Sequence, residues 1–168
     1  MADIHETALR MLARRALSLA EVVERLEGRG FGEAAVRAEV ARLGHAGLLD
    51  DETLARAVCR EQLRAGRGRR AVVATLKRRR VAKDAAAEAL AELAESDREG
   101  AALAAAVAKA TSKHRFWRRL PEERRKVIRY LLARGFGLDE VRRALEEKRR
   151  EDPNGEQTDD PGDPPGLP

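Results

Sequence analysis

The sequence predicts an all-α fold: an elongated tandem array of three three-helix repeats, followed by a disordered acidic C-terminal tail. The first observation behind this is a repeat. Val22, Val23 and Leu26 return fifty residues on as Val72, Val73 and Leu76, and fifty-five residues further on as Val127, Ile128 and Leu131. Phe31, Val81 and Phe136 keep the same offsets, as do Val36 and Val40, Ala86 and Leu90, and Val141 and Leu145. A period of that size without slippage marks stacked helical units that bury their apolar faces on one another. The second observation is composition. Apolar residues make up 43% of the 168-residue chain but aromatics only 3%, with Ala and Leu dominant, which favours helix over sheet. The third is a set of helix start and stop signals in each period.

The first repeat spans residues 1–48. Ile4, Ala8, Met11 and Leu12 form one helical stripe. Ser18 and Glu21 have the spacing of a capping box, in which hydroxyl and carboxylate each take a backbone N–H at the start of a helix. Leu19, Val22, Val23 and Leu26 follow at helical spacing, and Gly28-Arg29-Gly30 ends that helix with a glycine suited to the left-handed C-cap. Phe31 is expected to pack inward, and Val36, Val40 and Leu43 to line a third helix.

The second repeat, residues 49–94, opens with Asp50 as N-cap and acids in the first turn that complement the helix dipole. Leu54, Val58 and Leu63 continue that helix, and Gly66-Arg67-Gly68 breaks it. Val72, Val73 and Leu76 mark the next helix; Ala86, Leu90 and Leu93 mark the third. The third repeat, residues 95–150, starts at Ser96-Asp97-Arg98-Glu99, read as a second capping box. An Ala-rich helix runs to about Ala110, and Pro121 at a first helical position opens the next. Gly135-Phe136 ends it, and Val141 and Leu145 line the last helix. Residues 151–168 hold five prolines, three glycines and six acids, too little apolar surface to support a packed structure.

Charge divides the chain. Six of its 29 acids and none of its 34 Lys and Arg residues fall in 151–168, which leaves residues 1–150 with a net charge of +11 and an attraction to polyanions. The strongest local signal is the tract Arg64, Arg67, Arg69, Arg70, Lys77, Arg78, Arg79, Arg80 and Lys83, which contains no acid. Arginine matches phosphate geometry, and clustered cations gain affinity by releasing counterions from nucleic acid. The tract is therefore read as a polyanion-facing surface rather than a solvated face. Arg29, Arg79 and Arg134 occupy one place in each repeat. They form either a regular row toward a repeating partner or cations that answer helix C-terminal dipoles. In Lys113-His114-Arg115-Phe116-Trp117-Arg118-Arg119, both aromatics are read as core plugs rather than base-stacking groups.

Catalytic chemistry has almost no support. His5, His45 and His114 are dispersed, Cys59 has no companion ligand and reads as a small core residue, and helix capping accounts for Asp50-Asp51-Glu52. No cofactor or metal is implied. A lone cysteine precludes an internal disulfide and suits a reducing compartment; with no apolar run of spanning length and no signal peptide visible, the cytoplasm is expected.

The ordered set of motifs resembles the RecX family of bacterial recombinase regulators. The residues carrying the likeness are Leu12-Ala13-Arg14-Arg15, Ser18, Glu21, Leu26 and Gly30-Phe31. They continue with Leu43, Gly47-Leu48-Leu49-Asp50-Asp51-Glu52, Ala55, Gly68-Arg69-Arg70 and Leu76, and close with Arg134-Gly135-Phe136 and Val141. The chain departs from the family pattern at Leu48 and Leu54, where aromatics are usual, and at Arg80, which stands where Gly30 and Gly135 stand. The resemblance implies a protein that docks in the groove of a RecA filament on DNA and restrains filament growth or promotes its loss; a monomer is expected. It would thereby damp strand exchange, ATP hydrolysis and RecA-stimulated LexA cleavage. On this reading the basic tract with Arg134 meets DNA or RecA, while Gly30, Phe31, Asp50, Asp51, Gly135 and Phe136 are structural. The alternative is a stand-alone DNA-binding repressor with a helix-turn-helix.

Overall fold

A computed structural model describes residues 3–151, and all the regular structure among them is helical. The helices are α1 (Ile4–Arg14), α2 (Leu19–Glu27), α3 (Glu33–His45), α4 (Asp51–Arg64), α5 (Arg69–Arg78), α6 (Lys83–Glu95), α7 (Arg98–Lys113), α8 (Pro121–Ala133) and α9 (Leu138–Glu151). Glu151, assigned from sequence to the tail, closes α9. The remainder of the expected tail, 152–168, lies outside the described residues.

The repeat is a repeat of burial. Val22 and Leu26 on α2, Val72 and Leu76 on α5, and Val127 and Leu131 on α8 are all buried, while Val23, Val73 and Ile128 are half-buried beside them. Residues i and i+4 thus aim into each core and i+1 grazes its edge. Leu19, included in the first stripe, points outward instead. Each middle helix closes with the same bond, the amide of the sixth residue returning to the first carbonyl: Phe31 N to Leu26 O, Val81 N to Leu76 O and Phe136 N to Leu131 O, each 3.2–3.3 Å. The residue before each has positive φ: 85° at Gly30, 51° at Arg80 and 88° at Gly135. The turn at Arg80 therefore does not differ from its partners, and a side chain occupies a conformation that favours glycine.

Capping follows chemistry more than pattern. Ser18 and Glu21 form the full box, with Glu21 N to Ser18 Oγ and Ser18 N to Glu21 Oε2 both at 3.1 Å. Asp50 accepts from Glu52 N and Thr53 N. The second box does not form. Ser96 serves the end of α6 instead, its hydroxyl donating to Leu93 O at 2.8 Å, and Asp97 makes no side-chain cap bond.

Apolar packing divides the molecule in two. One cluster, from Ala8 to Leu49, belongs to α1–α3 and the segment leading to α4. The other runs from Leu54 to Leu145 and joins the second and third repeats, because α7 packs on α4 and α6 as well as on α8 and α9. Within it α6 lies tight against α4, with Cys59 Sγ 4.0 Å from Ala89 O. The buried row of α6 is consequently Ala85, Ala89 and Leu93; Ala86 and Leu90, expected from the repeat offset, are only half-buried. Small alanines permit that close approach. Of the two aromatics expected to plug the core, Trp117 does so, at 5% exposure, whereas Phe116 is 50% exposed.

Candidate polyanion interface

The three middle helices meet end to end. The C-terminal turn of α8 touches the start of α5: Gly68 N donates to Arg134 O at 2.9 Å and Arg70 N to Gly135 O at 3.1 Å. The C-terminal turn of α5 touches the start of α2 in the equivalent place, where Ser18 Oγ donates to Arg79 O at 2.6 Å. Orphan carbonyls of one helix thus satisfy donors at the next, with dipoles aligned head to tail.

The arginine shared by the repeats fastens each junction. Arg134 Nη1 donates to Ala65 O at 2.7 Å, and its guanidinium lies over the Tyr130 ring, 4.9 Å from the centroid. Arg79 donates to Ala16 O and stands 3.5 Å from Glu21 Oε2. Neither faces outward to a repeating partner, and the dipole reading captures only part of their role. Beside Arg79, the buried carboxylate of Asp51 accepts from Leu19 N at 2.9 Å and from Ala82 N at 2.7 Å. One side chain thereby caps the starts of both α2 and α6. Capping explained Asp50 correctly, but it did not reveal that Asp51 bridges two repeats.

Glu21 is the charged centre of that bridge. Burial would push its carboxyl up; the Arg15 hydrogen bond, the Ser18 N–H and the charges of Arg15 and Arg79 outweigh this and hold it below the ordinary glutamate range.

These contacts sort the basic tract. Arg69 bonds Leu90 O and Glu99, each at 3.1 Å, tying α5 to α6 and α7. Arg80 pairs with Glu24 at 2.7 Å. With Arg79 and Arg134, four of the ten predicted interface cations are therefore engaged within the molecule. Arg64, Arg67, Arg70, Lys77, Arg78 and Lys83 are exposed and meet no acid among the described residues. Arg70, Lys77 and Arg78 share one outer face of α5 with Ala74, following the helical period. At the repeat offset α8 carries Arg125 and Arg129, also exposed and without an acid partner among the described residues. The sequence reading missed these two; the offset carried from Arg70 would have found Arg125, whereas Arg129 answers Ala74 and has no cation to point to it. On α2 the matching positions are Ala20, Glu24 and Glu27. The positive face thus belongs to the second and third repeats.

Arg70 and Lys77 stand about 11 Å apart along the axis, beyond the roughly 8 Å screening length of physiological salt, so each cation acts on a polyanion largely on its own. Elsewhere, His5, His114 and Cys59 are engaged or buried. His5 contacts Glu39 at 2.8 Å and His114 contacts Glu123 at 2.6 Å. Burial pushes the Cys59 thiol up, away from the thiolate a nucleophile needs. Among the described residues no group of His, Cys, Asp and Glu could hold a metal, and no helix is long and apolar enough to cross a membrane.

Fold and surface together define a class: an all-α tandem-repeat protein with exposed cations along the faces of its helices. The comparisons give the particular family. Models of the first, second and third three-helix domains of RecX match residues 5–43, 50–90 and 100–145. The regulatory protein RecX of Halorhodospira halophila is 32% identical over 155 residues, covering 90% of this chain and 92% of its own length. That of Chromohalobacter salexigens is 34% identical over 140 residues, covering 83% and 89%. The crystal structure of RecX from Lactobacillus salivarius shares the fold, with a TM-score of 0.73 and 18% identity over 86% of this chain and 93% of that one. The chain belongs to the RecX family.

Proposed function

We propose that this protein is a non-enzymatic regulator of the RecA filament. It docks as a monomer in the filament groove and restrains filament growth or promotes its loss, lowering strand exchange, ATP hydrolysis and LexA cleavage. Family membership supports the regulatory role, and the likeness read from the motifs supports RecA as the target. The observation that carries the proposal is the row of cations on α5 and α8. Arg70, Lys77, Arg78, Arg125 and Arg129 lie on helices joined end to end and have no acid partner among the described residues. A row of that kind suits a polymer that offers phosphates or acidic side chains at regular intervals. Arg64, Arg67 and Lys83 flank it. The compartment that fits this role is the cytoplasm.

The test is RecA ATPase on single-stranded DNA. Substoichiometric amounts of this protein should lower the rate, and an unchanged rate across the titration would refute the regulatory reading. Binding to one duplex sequence and to scrambled versions should agree within about threefold, because phosphate contacts carry no sequence information.

A further inference from the structure

The junction that joins the repeats is present a third time, uncovered, at the end of α2. We propose that the turn Arg29–Gly30–Phe31 is a docking socket for the N-terminus of a partner helix, one that begins with a small N-cap residue and carries acids in its first turn. This rests on the filament reading above and makes the partner helix one of RecA.

Two copies of this turn already hold helix starts. Arg79–Arg80–Val81 holds the start of α2 at Ser18, and Arg134–Gly135–Phe136 holds the start of α5 at Gly68. The Arg29 turn has the same backbone. Gly30 N returns to Glu27 O at 2.8 Å, Phe31 N returns to Leu26 O at 3.3 Å, and Gly30 has φ 85°. What differs is what covers it. A Cβ on Gly135 would lie 2.5 Å from Ala71 N of the helix seated there, while one on Gly30 would meet nothing within 4 Å. Val81 and Phe136 are buried, but Phe31 is only half-buried. The Arg29 guanidinium is exposed and, among the described residues, bonds only Arg25 O of its own helix, at 2.7 Å. Its counterparts reach carbonyls of the adjoining repeat.

The seated helices also define the occupant. Both place a small residue at the N-cap, Ser18 or Gly68, and at Gly68 a Cβ would fall 2.6 Å from the Phe136 ring and 2.7 Å from Gly135 O. Of the two, α2 also carries acids, Glu21 in its first turn and Glu24 after it, that answer the socket cations Arg79 and Arg80, whereas α5 has no acid in its first turn. Beside the open turn is a hollow of about 200 Å³ lined by Thr7, Arg10, Met11, Arg14 and Arg29. Neither Arg14 nor Arg29 meets an acid among the described residues. Acids near the start of an incoming helix complement both these cations and that helix's own dipole. A second copy of this chain does not fit through α8, the middle helix whose start lies outside the junctions. Its N-cap is Leu120, whose amide already bonds Phe116 O at 2.9 Å.

The experiment uses the full chain with a benzophenone amino acid in place of Glu33, which is exposed next to the turn. Irradiation with RecA on single-stranded DNA and a non-hydrolysable ATP analogue should cross-link it to the first turn of a RecA helix. In parallel, Arg29→Ala should weaken co-sedimentation with the filament about tenfold, as loss of an interface arginine does. Its thermal midpoint should not move, since Arg29 is exposed. Arg29→Lys should not restore full binding, because the ammonium lacks the planar, preorganised fork of the guanidinium. If wild-type protein co-sediments but the cross-link falls on DNA, a strand or a loop, or Arg29→Ala binds like wild type, the socket is refuted while the filament reading stands. If wild-type protein does not co-sediment, the filament reading fails and the socket assignment fails with it.

Discussion

Gly135 and Ala71 touch so closely that a methyl group added to the glycine would come within 2.5 Å of the Ala71 amide nitrogen. The contact joins the turn after α8 to the first turn of α5, and it combines with a φ of 88° at the glycine. Gly135→Ala should therefore destabilise the shared core of the second and third repeats by more than about 2 kcal/mol. Gly30→Ala, with the same backbone but open space around it, should cost only about 1 kcal/mol. Urea unfolding of the two variants measures the difference; equal losses would mean that backbone strain, not the close approach, sets the cost.

Asp51 joins the first repeat to the second. Asp51→Ala leaves the amides of Leu19 and Ala82 without their acceptor in a half-buried junction. An orphaned buried donor costs about 1–3 kcal/mol. Hydrogen exchange at these two amides should accelerate together, ahead of Val127 and Leu131 in the other cluster. Uniform acceleration would show that the repeats unfold as one unit.

Glu21 makes the same junction sensitive to acid. Its folded-state pKa lies below the ordinary value, so its stabilisation is complete above the unfolded glutamate pKa of about 4.3 and is lost as pH falls through the lower folded value. Wild-type stability should decline through that window. Glu21→Gln should be less stable at neutral pH and show a shallower decline on acidification, read from urea midpoints between about pH 3 and pH 7. A parallel decline in both proteins would assign the acid sensitivity elsewhere; the carboxylates of Asp50 and Glu123 are also held low. For Asp50 the Thr53 hydroxyl and amide are the main cause, and for Glu123 the Lys126 and His114 hydrogen bonds.

The adjacent aromatics should part company. Trp117→Ala removes a buried side chain and should cost about 3–5 kcal/mol. Phe116→Ala, at a half-exposed position, should change stability by less than about 1 kcal/mol. Thermal melts of the two variants check this.

Replacing Arg70, Lys77 and Arg78 with Gln should weaken nonspecific DNA binding at low salt. The slope of log K against log salt should become shallower by about 0.7–0.9 for each phosphate no longer neutralised. Arg79→Gln, whose guanidinium is committed to Ala16 and Glu21, should lower stability more than it lowers the salt slope. An unchanged slope in the triple variant would remove the α5 face from the interface.

Much of the fold was legible because helix periodicity and caps are local. The stripe Val22, Val23 and Leu26 and its two echoes located the middle helices and their buried residues. Ser18 with Glu21 located one helix start to the residue. Ser96 with Glu99 has the same letters, but there the chain passes from α6 to α7 with no room for a box, and the hydroxyl closes the earlier helix. The interface was partly legible. A charge tract tells how many cations are present, not which of them find partners. Arg69, Arg79 and Arg80 sit among the other cations of the tract and differ only in what folding brings opposite them, namely Glu99, Glu21 and Glu24.

The sequence alone determined the helices, their order, the threefold repeat and the positive body, because each follows from spacing, capping and charge within a few residues. Tertiary structure decided how the repeats join and which cations remain outside. End-to-end seating of helix starts on helix ends depends on groups about sixty residues apart, Ser18 with Arg79 and Gly68 with Arg134. Only the folded chain brings them within hydrogen-bonding distance, and an arginine is committed or available according to the acid or carbonyl that then stands before it.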